Sequence, residues 1–162
     1  MKILPLAACA AAALCAAGSS QAAPKDDRHF LMDAIKGDNS ETTLGRLAER
    51  RGASRGVKDF GHMLAMDHSE GRRQAAGLAR KMGWSVPDAM MPEAKHEYRK
   101  LQSMHGRAFD REFAAYMVDD HTKDIAEFSE QASGEGPVAG LARDTLPVLR
   151  KHLQTAQSLQ GA

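Results

Sequence analysis

Cysteine is scarce in this chain of 162 residues: Cys9 and Cys15 are the two that it has, and both lie near the N-terminus. The absence of any later thiol excludes disulfide bonds, thiol chemistry and thiolate metal ligands from the rest of the chain. A fold built without disulfides must take its stability from a packed core.

Long apolar runs are equally scarce, and the one that stands out is an Ala-rich stretch from Ile3 to Ala17. It follows the positively charged start Met1-Lys2 and is shorter than the about 20 residues that a membrane-spanning helix needs. Small residues come after it, which is typical of a secretory signal peptide. We therefore predict a signal peptide over residues 1–23, cleaved near Ala22-Ala23, a periplasmic or secreted product and no membrane span.

An excess of charge of one sign is missing as well. The chain has 22 Lys and Arg against 21 Asp and Glu, and Lys2 is the one charged residue of the predicted signal peptide. Residues 24–162 therefore carry 21 groups of each sign, which gives no indication of nucleic acid or an anionic membrane as a partner. Nor is there a Walker-type loop, a Gly-rich cofactor motif or a Ser/His/Asp order typical of a hydrolase.

What the chain does have is the composition of a helical protein: few aromatic residues and many Ala, Leu, Met, Glu, Lys and Arg. Apolar residues recur at helical spacing, and no segment shows the alternation of a β-strand. The predicted helices cover, approximately, Arg28–Arg51, Arg55–Met82, Glu93–Met104, Arg107–Ser133 and Pro137–Leu159.

Four of these helices are long, and the short one lies inside a connection that runs from Trp84 to Gly106 and contains Pro87 and Pro92. That connection is too long for a simple antiparallel turn and long enough to travel back along a bundle. The sequence therefore predicts one all-α domain over residues 24–162. We expect a ferritin-like four-helix bundle with a long crossover that carries a short extra helix.

Each long helix carries ionisable residues on or beside its apolar stripe. Asp67 lies close to the centre of the second stripe and His68 on its flank, while Asp120 belongs to the third stripe and His121 lies at its margin. Glu41 and His152 lie in the first and the last long helix, and if the connection returns the chain, Glu41, His68, His121 and His152 all lie about 10 to 15 residues from the same end of the bundle. We expect one level of the bundle to hold Glu41, Asp67, His68, Asp120, His121 and His152.

Carboxylates and histidines that point inward from facing helices are how bundles hold metal ions, and they suit iron, manganese, zinc or copper. A di-iron site would need a Glu three residues before each His, and Ala65, Val118 and Leu149 occupy those positions. We therefore identify no catalytic residue, and a third interpretation, an oxygen- or peroxide-activating enzyme, would need more carboxylates than the pattern provides. The predicted metal ligands are Glu41, His68, His121 and His152, with Asp67 and Asp120 as ligands or orienting groups.

A metal-free interpretation stays open at this stage. Bundle cores do hold polar groups when these are hydrogen-bonded to one another, and such a network can fix the register of the helices. The alternative is thus a structural or protein-interaction bundle without a cofactor. The oligomeric state is open too.

Seven stretches of the chain form one set by their order and spacing: Phe30–Ala34, Glu41–Ala48, Val57–Gly61, Asp67–Ser69, Phe109-Asp110, Asp120–Lys123 and Thr145–Leu153. Together they resemble a bacterial ferritin-like family of unknown function, whose members carry the description of predicted secreted or outer-membrane proteins. The resemblance covers nearly all of residues 24–162 and implies a ferritin-like bundle in the cell envelope. It also implies that Glu41, Asp67, His68, His121 and His152 are the characteristic polar positions.

Overall fold

The computed structural model describes residues 26–160, in which all the regular elements are α-helices. The predicted all-α class is thereby confirmed for this range, while the predicted signal peptide, residues 1–23, lies outside the described residues. Five helices follow one another in the described range: α1 Asp27–Arg51, α2 Arg55–Lys81, α3 Pro92–Gln102, α4 Gly106–Ala132 and α5 Gly136–Gln160.

Local capping signals set the helix ends. The Ser54 hydroxyl accepts a hydrogen bond from the backbone N–H of Val57 at 3.3 Å, which caps α2 as its position predicts. At the end of α1, the N–H of Gly52 donates to the carbonyl of Ala48 at 2.8 Å. The helices therefore begin and end within one or two residues of their predicted bounds.

The long helices associate as two pairs, α1 with α2 and α4 with α5, and the pairs meet mainly through α2 and α5. Gly45 on α1 and Gly61 on α2 allow the first pair to approach closely. A Cβ atom added at Gly45 would lie 2.6 Å from the carbonyl oxygen of Gly61, and one added at Gly61 would lie 2.6 Å from that of Gly45. The two backbones are thus in direct contact at this level.

The short helix α3 lies in the connection between α2 and α4 and packs against α1 and α4. Ala94 and Leu101 are its buried apolar residues. Its start is tied to α1, because the N–H of Met91 donates to the Ser40 hydroxyl at 2.9 Å. The connection therefore returns along the bundle and does not leave it.

The core consists of two hydrophobic clusters. The first contains Phe60, Phe109 and Phe113, and the second contains Phe30 and Ile35. Between the two clusters each long helix carries polar residues, which we call the polar layer: Asp38, Glu41, Asp67, His68, Asp120, His121, Asp124 and His152.

The order of the clusters along the chain gives the helix directions. Along α1 and α5 the chain passes from the second cluster to the first, and along α2 and α4 it passes from the first to the second. Helices α2 and α4 therefore run in the same direction, antiparallel to α1 and α5. Among the helices of residues 26–160, none has the length and apolarity needed to cross a membrane.

Candidate metal centre

Three buried histidines from three different helices converge in the polar layer. His68 on α2 is 5% exposed, and His121 on α4 and His152 on α5 are 0% exposed. Their ring centroids lie 5.2 to 5.8 Å apart. Helix α1 adds Glu41, which is 1% exposed. The structure thus brings together the four residues that the sequence analysis proposes as metal ligands.

The aspartates beside the histidines lie further out than predicted. The stripe of α2 centres on His68, whereas the side chain of Asp67 is 36% exposed and reaches the layer from its rim. Likewise His121 is fully buried, and Asp120 is half-buried. The prediction that the aspartate of each Asp-His pair lies nearer the centre of the apolar stripe than the histidine is therefore wrong. Each helix is rotated so that the histidine faces the neighbouring helices.

One nitrogen of each histidine is held by an acceptor. His68 Nδ1 lies 2.9 Å from Asp38 Oδ1, and His152 Nε2 lies 2.9 Å from Asp67 Oδ2. His121 Nδ1 donates to the carbonyl oxygen of Met117 at 3.0 Å. Histidines that bind metals are held in this way, because the outer hydrogen bond fixes both the tautomer and the ring orientation.

The other nitrogens of His121 and His152 face each other. Since the Met117 carbonyl can only accept, Nδ1 of neutral His121 carries the hydrogen and Nε2 carries a lone pair. By the same reasoning, His152 donates from Nε2 to Asp67 and carries a lone pair on Nδ1. These two inner nitrogens lie 3.2 Å apart. A hydrogen bond between them requires one ring to be protonated, and a shared cation would satisfy both lone pairs.

Burial disfavours that protonation. Desolvation lowers the pKa of His121, and desolvation together with the positive charge of His68 lowers the pKa of His152 to about 4. Both rings are therefore neutral at pH 7. The inner pair consists of two acceptors without a hydrogen between them.

His68 has the opposite character. Burial alone would lower its pKa, but the carboxylates of Glu41 and Asp38 raise the pKa well above the usual value for histidine. Its Nε2 is in close ion-pair contact with Glu41 Oε2. For Glu41, burial acts to raise the pKa and the charge of His68 outweighs it, so that the pKa lies below the ordinary value. Without a metal, the two groups form a buried ion pair.

Two further carboxyl groups, Asp120 and Asp124, lie one turn apart on α4. Burial, and next the negative charge of Glu41, raise the pKa of both well above the usual value for aspartate. Such a group of half-buried carboxyl groups favours either protonation or a bound cation, because the charges repel one another where water screens them incompletely. The polar layer thus has more carboxyl groups than His68 alone can neutralise.

His68 Nε2 is engaged by Glu41 Oε2, whereas the other oxygen of Glu41, the buried Oε1, has no hydrogen bond to the described residues and lies 3.5 Å from His121 Nδ1. Unsatisfied buried atoms are uncommon in native proteins, and a bound ion or water is one explanation for them. One ligand atom each of His68, His121 and His152 lie within 4.8 Å of one another, and the same holds for Glu41, Asp120 and His121. The residues present therefore fit a metal ion.

The chain also matches the model of a known protein family. Residues 12–159 match the family model described as a domain of unknown function, DUF4142. The chain belongs to the DUF4142 family. The match spans nearly all of α1 to α5, so the whole polar layer lies inside the DUF4142 domain. The predicted membership of a helical family of unknown function is confirmed.

A solved structure shares the architecture of this DUF4142 domain. The crystal structure of a DUF305 fragment from Deinococcus radiodurans is similar with a TM-score of 0.75 at 17% identity, over 83% of this chain and 95% of that one. At that identity the likeness concerns the fold alone. No curated protein matches the chain.

Two members of the polar layer in the DUF4142 domain, Asp38 and Asp124, were not predicted from the sequence as ligands or orienting groups. Asp38 lies three residues before Glu41, a spacing that puts both on one face of α1. Asp124 lies four residues after Asp120, one helical turn along the same face of α4. Both could have been found by asking which acidic residues lie one helical turn from a candidate ligand.

Proposed function

We propose that the protein is an exported metal-binding helical bundle that holds a divalent transition-metal ion in its polar layer. The ligands are the inner nitrogens of His68, His121 and His152, together with the carboxylate of Glu41. Asp67 and Asp38 orient the rings, and Asp120 adds an oxygen beside Glu41. The observation that carries this proposal is that the three histidines, each with one nitrogen held by an acceptor, bring one ligand atom each within 4.8 Å of the others.

The donor set indicates which ions fit. Three imidazoles and a carboxylate suit borderline ions such as Zn²⁺ or Fe²⁺, with manganese and copper as further candidates. Two nitrogens bound at about 2.0 Å in a tetrahedral site lie about 3.3 Å apart. The 3.2 Å separation of the inner nitrogens of His121 and His152 is close to that value.

The fold supports a ferritin-like assignment. A long crossover that makes the second and third long helices run in the same direction is a feature of ferritin-like bundles, and such bundles carry metals between facing helices. The Ala-rich N-terminal segment supports export to the periplasm or beyond. We propose that the protein buffers a metal ion in the cell envelope or protects against metal and oxidative stress there.

One observation favours a metal-free alternative. His68 lies between Asp38 and Glu41, and this charged triad is balanced in part by its own contacts. A buried ion network of this kind can fix the register of the helices without any cofactor. In that case the function would be structural or would reside in an interaction with another protein.

Metal analysis separates the two functions. We would purify the protein from a periplasm without an affinity tag and measure iron, manganese, zinc and copper by mass spectrometry. We expect near-stoichiometric metal that is lost in a His68→Ala/His121→Ala double variant. The matched control is His62→Ala/His96→Ala, which removes two exposed histidines.

A second measurement guards against metal lost during purification. Thermal unfolding of the wild type with each of the four ions should show stabilisation by at least one, since a ligand of the folded state raises its stability. Protein that contains no metal and is stabilised by none of these ions would overturn the metal-binding proposal and leave the structural one.

A further inference from the structure

A cavity of about 400 Å³ lies beside the polar layer and borders one part of it. His68 and Glu41 line this cavity, whereas His121 and His152 do not. All four side chains are buried. The cavity therefore approaches the proposed metal site from the side of His68 and Glu41, and the other two histidines have no surface on it.

The same cavity opens to solvent. Glu93 on α3 and Asp119 on α4 line it, and both residues are exposed. Exposed and buried residues thus border one continuous space, which leads from the surface of the protein to Glu41. The charged groups of the lining are mostly carboxyl groups, with Lys123 as the one Lys or Arg among the lining residues that the structure describes. A cleft lined by charge of one sign concentrates ions of the opposite sign and speeds their association.

A second approach to the site, past Asp67, is occupied by a hydrogen bond. Asp67 is 36% exposed and does not line the cavity, and its Oδ2 lies 2.9 Å from His152 Nε2. An ion that passed here would have to break the contact that orients the ring of His152. An ion in the cavity instead meets His68 and Glu41 first, and both are ligands in the proposed function. The cavity is thus the approach on which no orienting contact has to be broken.

We propose that this cavity is the route by which a metal ion enters and leaves the site, and that the exposed carboxylates at its mouth, Glu93 and Asp119, accelerate entry. The inference rests on the proposed function, because it takes the metal ligands from there. It assigns to the two carboxylates an effect on the rate of binding and none on the coordination of the bound ion.

A route has a kinetic signature that a ligand lacks. An obstacle on the route slows entry and exit by the same factor and leaves the dissociation constant unchanged, because that constant is the ratio of the two rates. Gly37 on α1 offers a position for such an obstacle, since it lines the cavity and nothing lies within 4 Å of a Cβ atom added there. A side chain at Gly37 therefore begins in open space at the cavity wall.

Gly77 on α2 provides the matched control. A Cβ atom added at Gly77 also has nothing within 4 Å, but Gly77 does not line the cavity. Both glycines lie inside helices, so the same substitution has a similar effect on helix propensity at the two positions. A difference between the two variants therefore reports on the cavity.

The experiment measures the rates of Zn²⁺ binding and release. Metal-free full-length protein is mixed with Zn²⁺ and a zinc-sensitive dye in a stopped-flow instrument, and release is followed after excess chelator is added. For Gly37→Phe we expect both rates to fall about 10-fold or more with an unchanged dissociation constant, because the ion must displace a side chain from the route. Gly77→Phe should bind and release Zn²⁺ at wild-type rates.

The charge at the mouth gives an independent test. Glu93→Gln/Asp119→Asn should slow association about 3-fold or more at low ionic strength and leave the zinc stoichiometry and the release rate unchanged, since electrostatic steering acts on the encounter. High salt should reduce this difference from the wild type. The matched control is Glu130→Gln/Asp144→Asn, which removes two exposed carboxylates that do not line the cavity. It should associate with Zn²⁺ faster than the cavity variant.

Three results would overturn the route. A Gly37→Phe protein that binds and releases Zn²⁺ at wild-type rates would do so and would leave the metal site standing. Should Gly37→Phe not fold, the charge variants decide, and equal association rates of the two double variants would overturn the route in the same way. A wild type that takes up no Zn²⁺ would instead overturn the histidine-rich metal site of the proposed function, and the route with it.

Discussion

His121 Nε2 lies 3.2 Å from His152 Nδ1, and in the neutral tautomers that their outer partners impose, neither atom carries a hydrogen. Two lone pairs at this distance repel each other unless a proton or a metal ion lies between them. Burial opposes the proton, because it lowers the pKa of both rings. The pair therefore offers two lone pairs to the metal ion proposed above, and the following experiments test that proposal.

Asp38 should control metal affinity without binding the metal. Its carboxylate holds His68 Nδ1 at 2.9 Å and so directs Nε2 to the centre. Loss of such an orienting group typically weakens metal binding about 10- to 100-fold. We expect that effect for Asp38→Asn in a competition titration with a coloured chelator. Asp33→Asn is the matched control, since Asp33 lines the same cavity and pairs with Lys36; equal affinities of the two variants would contradict the orienting role.

Removal of the metal should lower the melting temperature. Metal at about 100 times its dissociation constant stabilises the folded state by about 3 kcal/mol, which corresponds to about 10 °C for a domain of this size. Calorimetry with and without a strong chelator measures the difference. The chelator should not change the melting temperature of His121→Ala/His152→Ala. A wild-type melting temperature that is the same with and without the chelator would contradict the prediction.

The stability of the metal-free protein should depend on pH through His152. The pKa of its imidazole falls from 6.5 to about 4 on folding, first because of desolvation and next because of the charge of His68. Between these two values the unfolded chain binds more protons, so stability is lost as the pH falls through the window. At 1.36 kcal/mol per pKa unit, the full loss is about 3 kcal/mol.

The comparison with His152→Gln isolates this contribution, because the carboxyl groups of the layer act in both proteins. We expect urea unfolding to show a smaller loss of stability for the variant between pH 6.5 and pH 4. If the unfolding free energy falls by the same amount in wild type and variant over this pH range, His152 does not titrate in this window.

Gly45 should tolerate no side chain. A Cβ atom there would lie 2.6 Å from the Gly61 carbonyl oxygen and 2.9 Å from the Ala65 nitrogen, both of which are backbone atoms that cannot move aside. We expect Gly45→Ala to cost about 2 kcal/mol or more of unfolding free energy, as overpacking does. Gly77, on α2, has nothing within 4 Å of its added Cβ. Gly77→Ala should therefore stabilise the protein by about 1 kcal/mol, the difference in helix propensity, and chemical denaturation measures both.

Much of the fold was predictable because its signals are local. The Ser54 cap, the end of α1 at Gly52 and the prolines of the connection are read from neighbouring residues, and they place the helix ends to within one or two residues. The direction of α4 followed from the length of the connection. Glycines carry no such local signal, since the sequence does not reveal that Gly45 and Gly61 face each other's backbone while nothing lies within 4 Å of a Cβ atom added at Gly77.

The rotation of each helix was less predictable. Asp67 and His68 are neighbours about 100° apart around α2, so a broad apolar stripe admits either as its centre. Because α2 packs against both α1 and α5, its rotation buries His68 and leaves Asp67 at the rim. The same ambiguity between neighbours exists on α4, where His121 is buried and Asp120 lies further out.

By itself, the sequence determined the helical elements, their ends, and the common level of Glu41, His68, His121 and His152 in the bundle, because helical period and capping act within a few residues. Only the tertiary structure decided that Asp38 holds His68, that His121 faces His152, and that a cavity reaches Glu41 but not His152. These pairings join side chains from helices far apart in the sequence. Their atoms meet only after the rotation and close approach of the packed helices have been set.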